Sequence, residues 1–586
     1  MAVFRLAGLR KPDIKKLVKT DNETTEASQW VNHDLLPSPP ERRTWSWLSL
    51  SYYWWSAAFN SNQWGNGASL IAVGLTWWQA LLAAIVANVI ASLVALGMAR
   101  PGATYHIGYP VLARGIFGMY GAYFFVALRA VVAIIWYGVQ SFYGGMLLSV
   151  TLRCIFGDLW YKMPNHLPES SGTTSRDLLA FFLFWFIQFP FQFVHPTRIR
   201  FIFAAQAVVV PIACFGVFGW CVRYGGGLGV DSLKSDVQVK GSALGWAMLN
   251  GINSVMGTLS PLLVNQPDFT RYVKTPRDAG WPQVLSIFAS KTIIFFLGCG
   301  ATSSAMGIFG EAYWNQWDLL TAILDNMWGP AARAGCFFAS VGFGLSVLGT
   351  NIGANTMPFG SDFTGLFPRY FTIIRGQVLC AILGIAVVPW QILKDAQGFL
   401  TFLGSYGIFM APLCAIVIAD YFITKRGNIH VPSLYNPSKD SLYYFTMGWN
   451  LKSTGCWVAG MLFGLPGLIG AYRPELVAPA AIQMYGSGWV ITFGCAFVFY
   501  TVVSLALPNR TFPKGYDGAY GEDSLQGKKR FEGLVASEGF LEGESVDDLL
   551  VGTQVIEGRE ESGDGRLEGD MEGDRAEKRG KVEVSF

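Results

Sequence analysis

The chain has 586 residues, 52% of them hydrophobic and only 14% charged, against about 25% charged in an ordinary soluble domain. Its apolar residues gather in repeated runs of about 20, the length a helix needs to cross a hydrocarbon core about 30 Å thick; this excludes a soluble enzyme, a nucleic-acid binder and a secreted scaffold and reads as an all-α polytopic membrane protein. The net charge of +3 hides an asymmetry: residues 1–513 carry 33 basic and 21 acidic side chains and the remainder 10 and 19, so a body of +12 joins a tail of −9.

Residues 1–45 are polar and charged up to about Arg43, carry no cleavable leader pattern, and read as a cytosolic N-terminal tail. About twelve spans follow, near 46–72, 77–98, 118–150, 178–195, 201–224, 243–265, 285–308, 333–356, 371–391, 397–422, 454–472 and 486–507. The first five form one unit, 46–224, the next five a second, 243–422, and 454–507 adds two more. An even count puts both termini on one side. Loops after even-numbered spans carry Arg100 and Arg114, Arg198 and Arg200, Arg271, Lys274 and Arg277, Arg369, then Lys425 and Arg426, while those after spans one and nine carry almost nothing or Lys394. That bias places both termini in the cytosol; Arg153, Lys162, Arg223, Lys234 and Lys240 in the longer outer loops blur it without reversing it.

Span one contains Phe59-Asn60-Ser61-Asn62-Gln63-Trp64-Gly65-Asn66-Gly67, too polar for lipid contact, and span six contains Asn250-Gly251 and Asn253 to Pro261. Both are expected to be broken, and broken helices survive at membrane depth only where protein or a water-filled cavity satisfies the freed backbone. Interrupted segments at matching positions of two halves point to an inverted-repeat transporter with a midplane site, with Asn60 among its substrate-binding residues. Tightly packed kinks are the plainer alternative. Span three carries Trp136 and Gln140 four residues apart, hence on one helix face. An indole offers a stacking surface and a carboxamide adjacent donor and acceptor groups, which suits a planar heterocycle bearing N–H and C=O groups. Span eight carries Thr350-Asn351-Ile352-Gly353-Ala354-Asn355, with Asn351 and Asn355 again one turn apart. Bonding between neighbouring helices is the competing reading of these carboxamides.

Arg129 lies in span three, seven residues before Trp136, and reads as a gate or pairing residue; Lys291 in span seven reads as a side chain snorkelling to an interface. Asp268 and Arg271 after span six suit an inner gate or a solvated turn. No Asp or Glu falls clearly in mid-membrane, so no proton carrier is identified. The nine cysteines show no metal-ligand or disulfide spacing and read as small core hydrophobes, so neither metal nor cofactor is expected. Residues 508–586, rich in Gly, Glu, Asp and Ser, read as a disordered acidic cytosolic tail. Its Lys528 and Lys529 suit ubiquitin-ligase or trafficking machinery, or the tail is a solvated extension.

In its motifs the chain resembles the fungal Fur-type branch of the nucleobase-cation-symport-1 transporters. The likeness lies in Gly108-Tyr109-Pro110-Val111-Leu112-Ala113-Arg114, Ile135-Trp136-Tyr137-Gly138-Val139-Gln140, Pro164-Asn165-His166-Leu167-Pro168, Pro267-Asp268-Phe269-Thr270-Arg271-Tyr272 and the Thr350–Asn355 run, in order from about Trp45 to Pro508. The resemblance implies a LeuT-type fold, a five-plus-five inverted repeat with two extra C-terminal spans. It implies a substrate such as uracil, uridine or allantoin, stacked on Trp136 and hydrogen-bonded by Gln140 and Asn355, with Asn351 in support. It also implies a proton as coupling ion, with sodium the alternative: sodium-driven relatives use two adjacent hydroxyl residues in span eight, and here Thr350 has Gly349 beside it.

The function expected is import of a planar nucleobase-type compound across the plasma membrane by proton-coupled alternating access, with substrate and membrane lipid as partners and no nucleic acid. A thiamine- or nucleoside-type permease of the same family, an uncoupled facilitator and a transport-dead receptor are the alternatives. An enzyme is not expected, because no nucleophile–base pair or phosphate loop appears.

Overall fold

The computed structural model describes residues 30–32, 34–194, 200–228 and 239–510. The acidic tail with Lys528 and Lys529, most of the N-terminal tail, and Arg198 and Lys234 of the loop-charge pattern lie outside the described residues. Within them the chain is helical, and pairing outside helices is limited to the isolated bridges Trp45–Val273 and Thr446–Trp449. Each expected span coincides with helix. Among the described residues eight helices are long and apolar enough to cross a membrane, and a ninth crossing arises if Leu451–Leu462 and Leu465–Tyr472, bent by 44°, act as one.

Span one is broken where its polar run begins. Ser46 caps a helix over Trp47–Ala58, accepting from the Ser49 amide. Phe59 and Asn60 leave helical geometry, and the Asn60 carboxamide oxygen caps a second half, Ser61–Ala72, through the Asn62 amide at 2.7 Å. Every residue from Ser61 to Ile71 in that half is buried, so its polar side chains face protein.

Span six departs from expectation: Ser242–Val264 is one unbroken helix, and the interruption falls at Asn265, before a short helix over Gln266–Thr270. The hydroxyls that looked like helix breakers turn back onto their own helix. Ser254 donates to the Asn250 carbonyl, Thr258 to Ser254 and Ser260 to Met256, each four residues earlier. Back-bonding of this kind satisfies the side chain without unwinding the helix. Gly257 serves contact rather than flexibility, since a side chain there would collide with the Leu403 carbonyl of span ten. The segment is nevertheless buried from Asn253 to Val264, facing inward.

Span eight is longer than its hydropathy suggests. Pro330–Thr350 continues through a π-helical turn, Asn351–Thr356, into Met357–Leu366. Spans one, two, six and seven form one group, with one, six and seven each packed on two, and spans three, four, eight and nine form a second group. Span five (Arg200–Tyr224) touches spans one, seven and eight, and span ten (Ala396–Ala419) lies against spans six and twelve. The nine cysteines are unpaired, eight of them buried, packing as small hydrophobes.

The segment before span one crosses the end of the bundle that carries Arg114 and Arg271. Arg114 donates to the Trp30 carbonyl at 2.9 Å, Asn32 to the Pro368 carbonyl at 2.7 Å, and Tyr435 to the Leu35 carbonyl at 2.9 Å.

Candidate functional site

Span three presents two neighbouring stripes. Trp136 and Gln140 lie on one; Tyr137 and Ser141 lie on the next and join span three to span eight. The Asn351 amide donates to the Tyr137 carbonyl at 3.3 Å, the Ser141 hydroxyl at 3.2 Å and the Gln188 carboxamide oxygen at 3.0 Å. Its own carbonyl oxygen accepts from Asn355 at 2.9 Å. Gln188 of span four closes the network by donating to Ser141 at 2.6 Å. Asn351 is thus fully engaged within the protein and positions Asn355. The π-helical turn that carries both residues is a feature often found at functional sites.

Trp136 packs on span ten, its ring 5.7 Å from Phe402 and 6.2 Å from Tyr406, the latter edge-on. The Gln140 carboxamide oxygen is buried without a hydrogen-bond partner, as are those of Gln63 and the Thr350 hydroxyl. Such an acceptor is available to a ligand or a water. Asn60, expected among the substrate contacts, spends its carbonyl oxygen on the helix cap of span one. Asn66 ties that half-helix to span six, donating to the Thr258 hydroxyl at 2.8 Å.

The expected Asp268–Arg271 gate takes a different form. Both residues are buried, not solvated, and they serve different partners. Asp268 accepts from Arg129 at 2.6 Å, from the Tyr109 amide at 3.0 Å and from the Ser361 hydroxyl at 3.2 Å. Arg129 also grips Asp362 bidentately, its Nε at 2.7 Å, while Tyr109 lies 4.4 Å from the guanidinium. Asp362 is a fully buried acid beyond the end that hydropathy gives span eight. It joins span eight to span three, and through Asp268 to the short helix after span six, so the two helix groups are clasped at this point.

Arg271 instead holds the N-terminal segment, donating to the Ser38 hydroxyl at 2.9 Å, the Asp34 carbonyl at 3.0 Å and the Leu36 carbonyl at 2.6 Å. Arg271→Ala should release this segment. Losing charged hydrogen bonds worth roughly 2 kcal/mol should speed hydrogen exchange over residues 34–38 by about thirtyfold; unchanged exchange there would remove Arg271 as the anchor.

Gln206 of span five bridges spans one and eight. Its carboxamide oxygen accepts from Ser56, and its amide donates to the Leu345 and Ser346 carbonyls. Gly349 is required beside it, because a side chain there would overlap the Gln206 carboxamide.

Residues 37–491 match a family described as permeases for cytosine/purines, uracil, thiamine and allantoin. The chain belongs to this permease family. The uracil permease of Saccharomyces cerevisiae is 34% identical over 486 residues, covering 81% of this chain and 76% of the relative. The allantoin permease of the same yeast is 32% identical over 494 residues, covering 83% and 78%. Among solved structures, Mhp1, a nucleobase-cation-symport-1 family transporter in a closed conformation with bromovinylhydantoin bound, superposes with a TM-score of 0.65 at 20% identity, covering 84% of this chain and 100% of that one. An inward-facing conformation of Mhp1 gives 0.63 at 21% identity, covering 82% and 96%. At that identity the likeness speaks to fold: a LeuT-type inverted repeat in which each half supplies two spans to each helix group. The relatives are permeases, and this permease is a multi-pass membrane transporter of the nucleobase-cation symporter type.

Proposed function

We propose that this permease imports a planar nucleobase-type compound, uracil, allantoin or a related base, by proton-coupled alternating access at the plasma membrane, with both termini cytosolic. The observation that carries this reading is the network in which Asn351 ties span eight to Tyr137 and Ser141 of span three and holds Asn355, next to the stripe of span three that carries Trp136 and Gln140. A flat ring would stack on the indole, and its N–H and C=O edges would face Gln140 and Asn355. Alternating access would move the group of spans one, two, six and seven against the group of spans three, four, eight and nine, and the Arg129–Asp268–Asp362 clasp would open with it.

A proton is preferred to sodium because Gln206 already occupies the Leu345 and Ser346 carbonyls between spans one and eight. That leaves Thr350 as a lone hydroxyl beside Gly349 for any cation there. The tail lysines Lys528 and Lys529 would be the contact for ubiquitin-ligase or trafficking machinery.

The deciding experiment is uptake of labelled uracil and allantoin across external pH, with uridine, uric acid and thiamine as competitors. Accumulation against a gradient, abolished by a protonophore, supports the reading. Equilibration without accumulation favours a facilitator, binding without uptake a receptor, and inhibition by thiamine alone a thiamine-type permease. Gln140→Ala and Asn355→Ala should each weaken substrate affinity by about 1–3 kcal/mol, because polar edges of the ligand would be stranded. Unchanged affinity in both variants would remove them from the pocket.

A further inference from the structure

Lys291 lies in span seven (Trp281–Phe309), fully buried, and its ammonium nitrogen is 3.2 Å from the Ala57 carbonyl. Among the described residues this is its one hydrogen bond, and no carboxylate pairs with it. Snorkelling, expected from sequence, does not occur: span seven begins at Trp281, so Lys291 sits ten residues inside the helix.

The elements packed on span seven are both halves of span one, span two (Trp77–Tyr105) and span five. They bring no acid. Span one contributes Tyr52 and Tyr53 as its titratable groups, and span two contributes Arg100 and Tyr105. Span five contributes Arg200, Arg223, Cys214, Cys221 and Tyr224, and span seven itself adds Cys299.

What faces the ammonium is the C-terminal end of the first half of span one. Ala57 is the second-last residue of that half-helix, and the break at Phe59–Asn60 leaves its carbonyl without a helical amide partner. A helix C-terminus carries partial negative charge and favours a cation. An unpaired ammonium buried at membrane depth is otherwise costly. Lysine, unlike arginine, can shed its proton when buried.

From this geometry we infer that Lys291 is the protonation site through which the coupling ion acts on the broken helix of span one. In the protonated state Nζ caps the first half-helix and holds the break. When the proton leaves, the nitrogen lone pair is restored, the charge on the helix end disappears, and the Phe59–Asn60 link loosens. Asn60 and the polar half that follows it move with that link. The inference rests on the proton-coupled reading above, and it names the residue that carries the proton.

The test needs no substrate. Hydrogen–deuterium exchange of the peptide covering Ala57–Asn62 is measured in the purified full chain at mildly acidic and mildly alkaline pH, each normalised to the unfolded peptide. In the native protein, protection should fall by about tenfold toward alkaline pH, the factor that one unit of linked pKa supplies. Lys291→Arg should stay protected at both pH values and Lys291→Met open at both. A flat native profile, or the native response retained in either variant, overturns the inference. In vesicles both variants should exchange base across the membrane without a gradient yet lose accumulation driven by a pH gradient; full accumulation in either overturns it as well. A native exchange response in a protein that moves no base supports the lysine assignment and refutes the substrate reading instead.

Discussion

Trp136→Ala should raise the apparent KM for uracil or allantoin by about five- to 150-fold, since stacking a base on an aromatic side chain is worth roughly 1–3 kcal/mol. The indole also packs against Phe402 and Tyr406 of span ten, so truncation removes packing as well as a stacking surface. Trp136→Phe separates the two contributions, because it keeps a ring against span ten while shrinking the face offered to substrate. An intermediate KM with near-native thermal stability in that variant is the expected pattern. Native uptake kinetics in Trp136→Ala would exclude the indole from the site.

Removing Arg129 should have the larger effect on the protein itself. Arg129→Met leaves Asp268 and Asp362 buried with no guanidinium between them, and stranding one side of a buried ion pair costs about 3–5 kcal/mol. The expected result is a sharp fall in thermal stability of purified protein and loss of mature protein at the membrane. Combining Arg129→Met with Asp362→Asn should recover part of that stability, because one stranded charge is gone and Asp268 keeps the Tyr109 amide and Ser361 hydroxyl. Uptake should stay low in the double variant, since the clasp between the two helix groups is missing. A single variant as stable as the native protein would show that the cluster contributes no net stabilisation.

How much of this was legible in the sequence depends on the range of the interaction. Hydrocarbon thickness sets span length, so the spans could be read from local composition. The break in span one was legible for a similar reason: Asn60 to Asn62 place capping side chains where lipid offers no partners. The break in span six was not. Ser254, Thr258 and Ser260 look like breakers as letters, but each bonds the carbonyl one turn back, and the actual interruption waits until Asn265.

Asp362 is not legible as a membrane residue because the apolar pattern of span eight stops at 356. The π-helical turn carries the helix on to Leu366, which turns an apparent loop residue into a buried partner of Arg129. Hydropathy alone begins span seven at 285, which brings Lys291 near an interface; the helix starts four residues earlier, at Trp281, and carries the side chain deeper. Trp136, Gln140 and Asn355 could be singled out by their chemistry. Phe402, Tyr406, Gln188 and Ser141 could not, because contacts between distant spans leave no local pattern; the four-residue spacing of Phe402 and Tyr406 was the one available signal.

The most direct measurement is a high-resolution structure of the full chain with allantoin or uracil bound. The ring should lie against the face of Trp136, with its N–H and C=O edge bonded to Gln140 and Asn355, while Asn351 keeps its contacts with Tyr137, Ser141 and Gln188. A base bound away from span three, with the Gln140 acceptor still unpartnered and Trp136 touching only Phe402 and Tyr406, would contradict it.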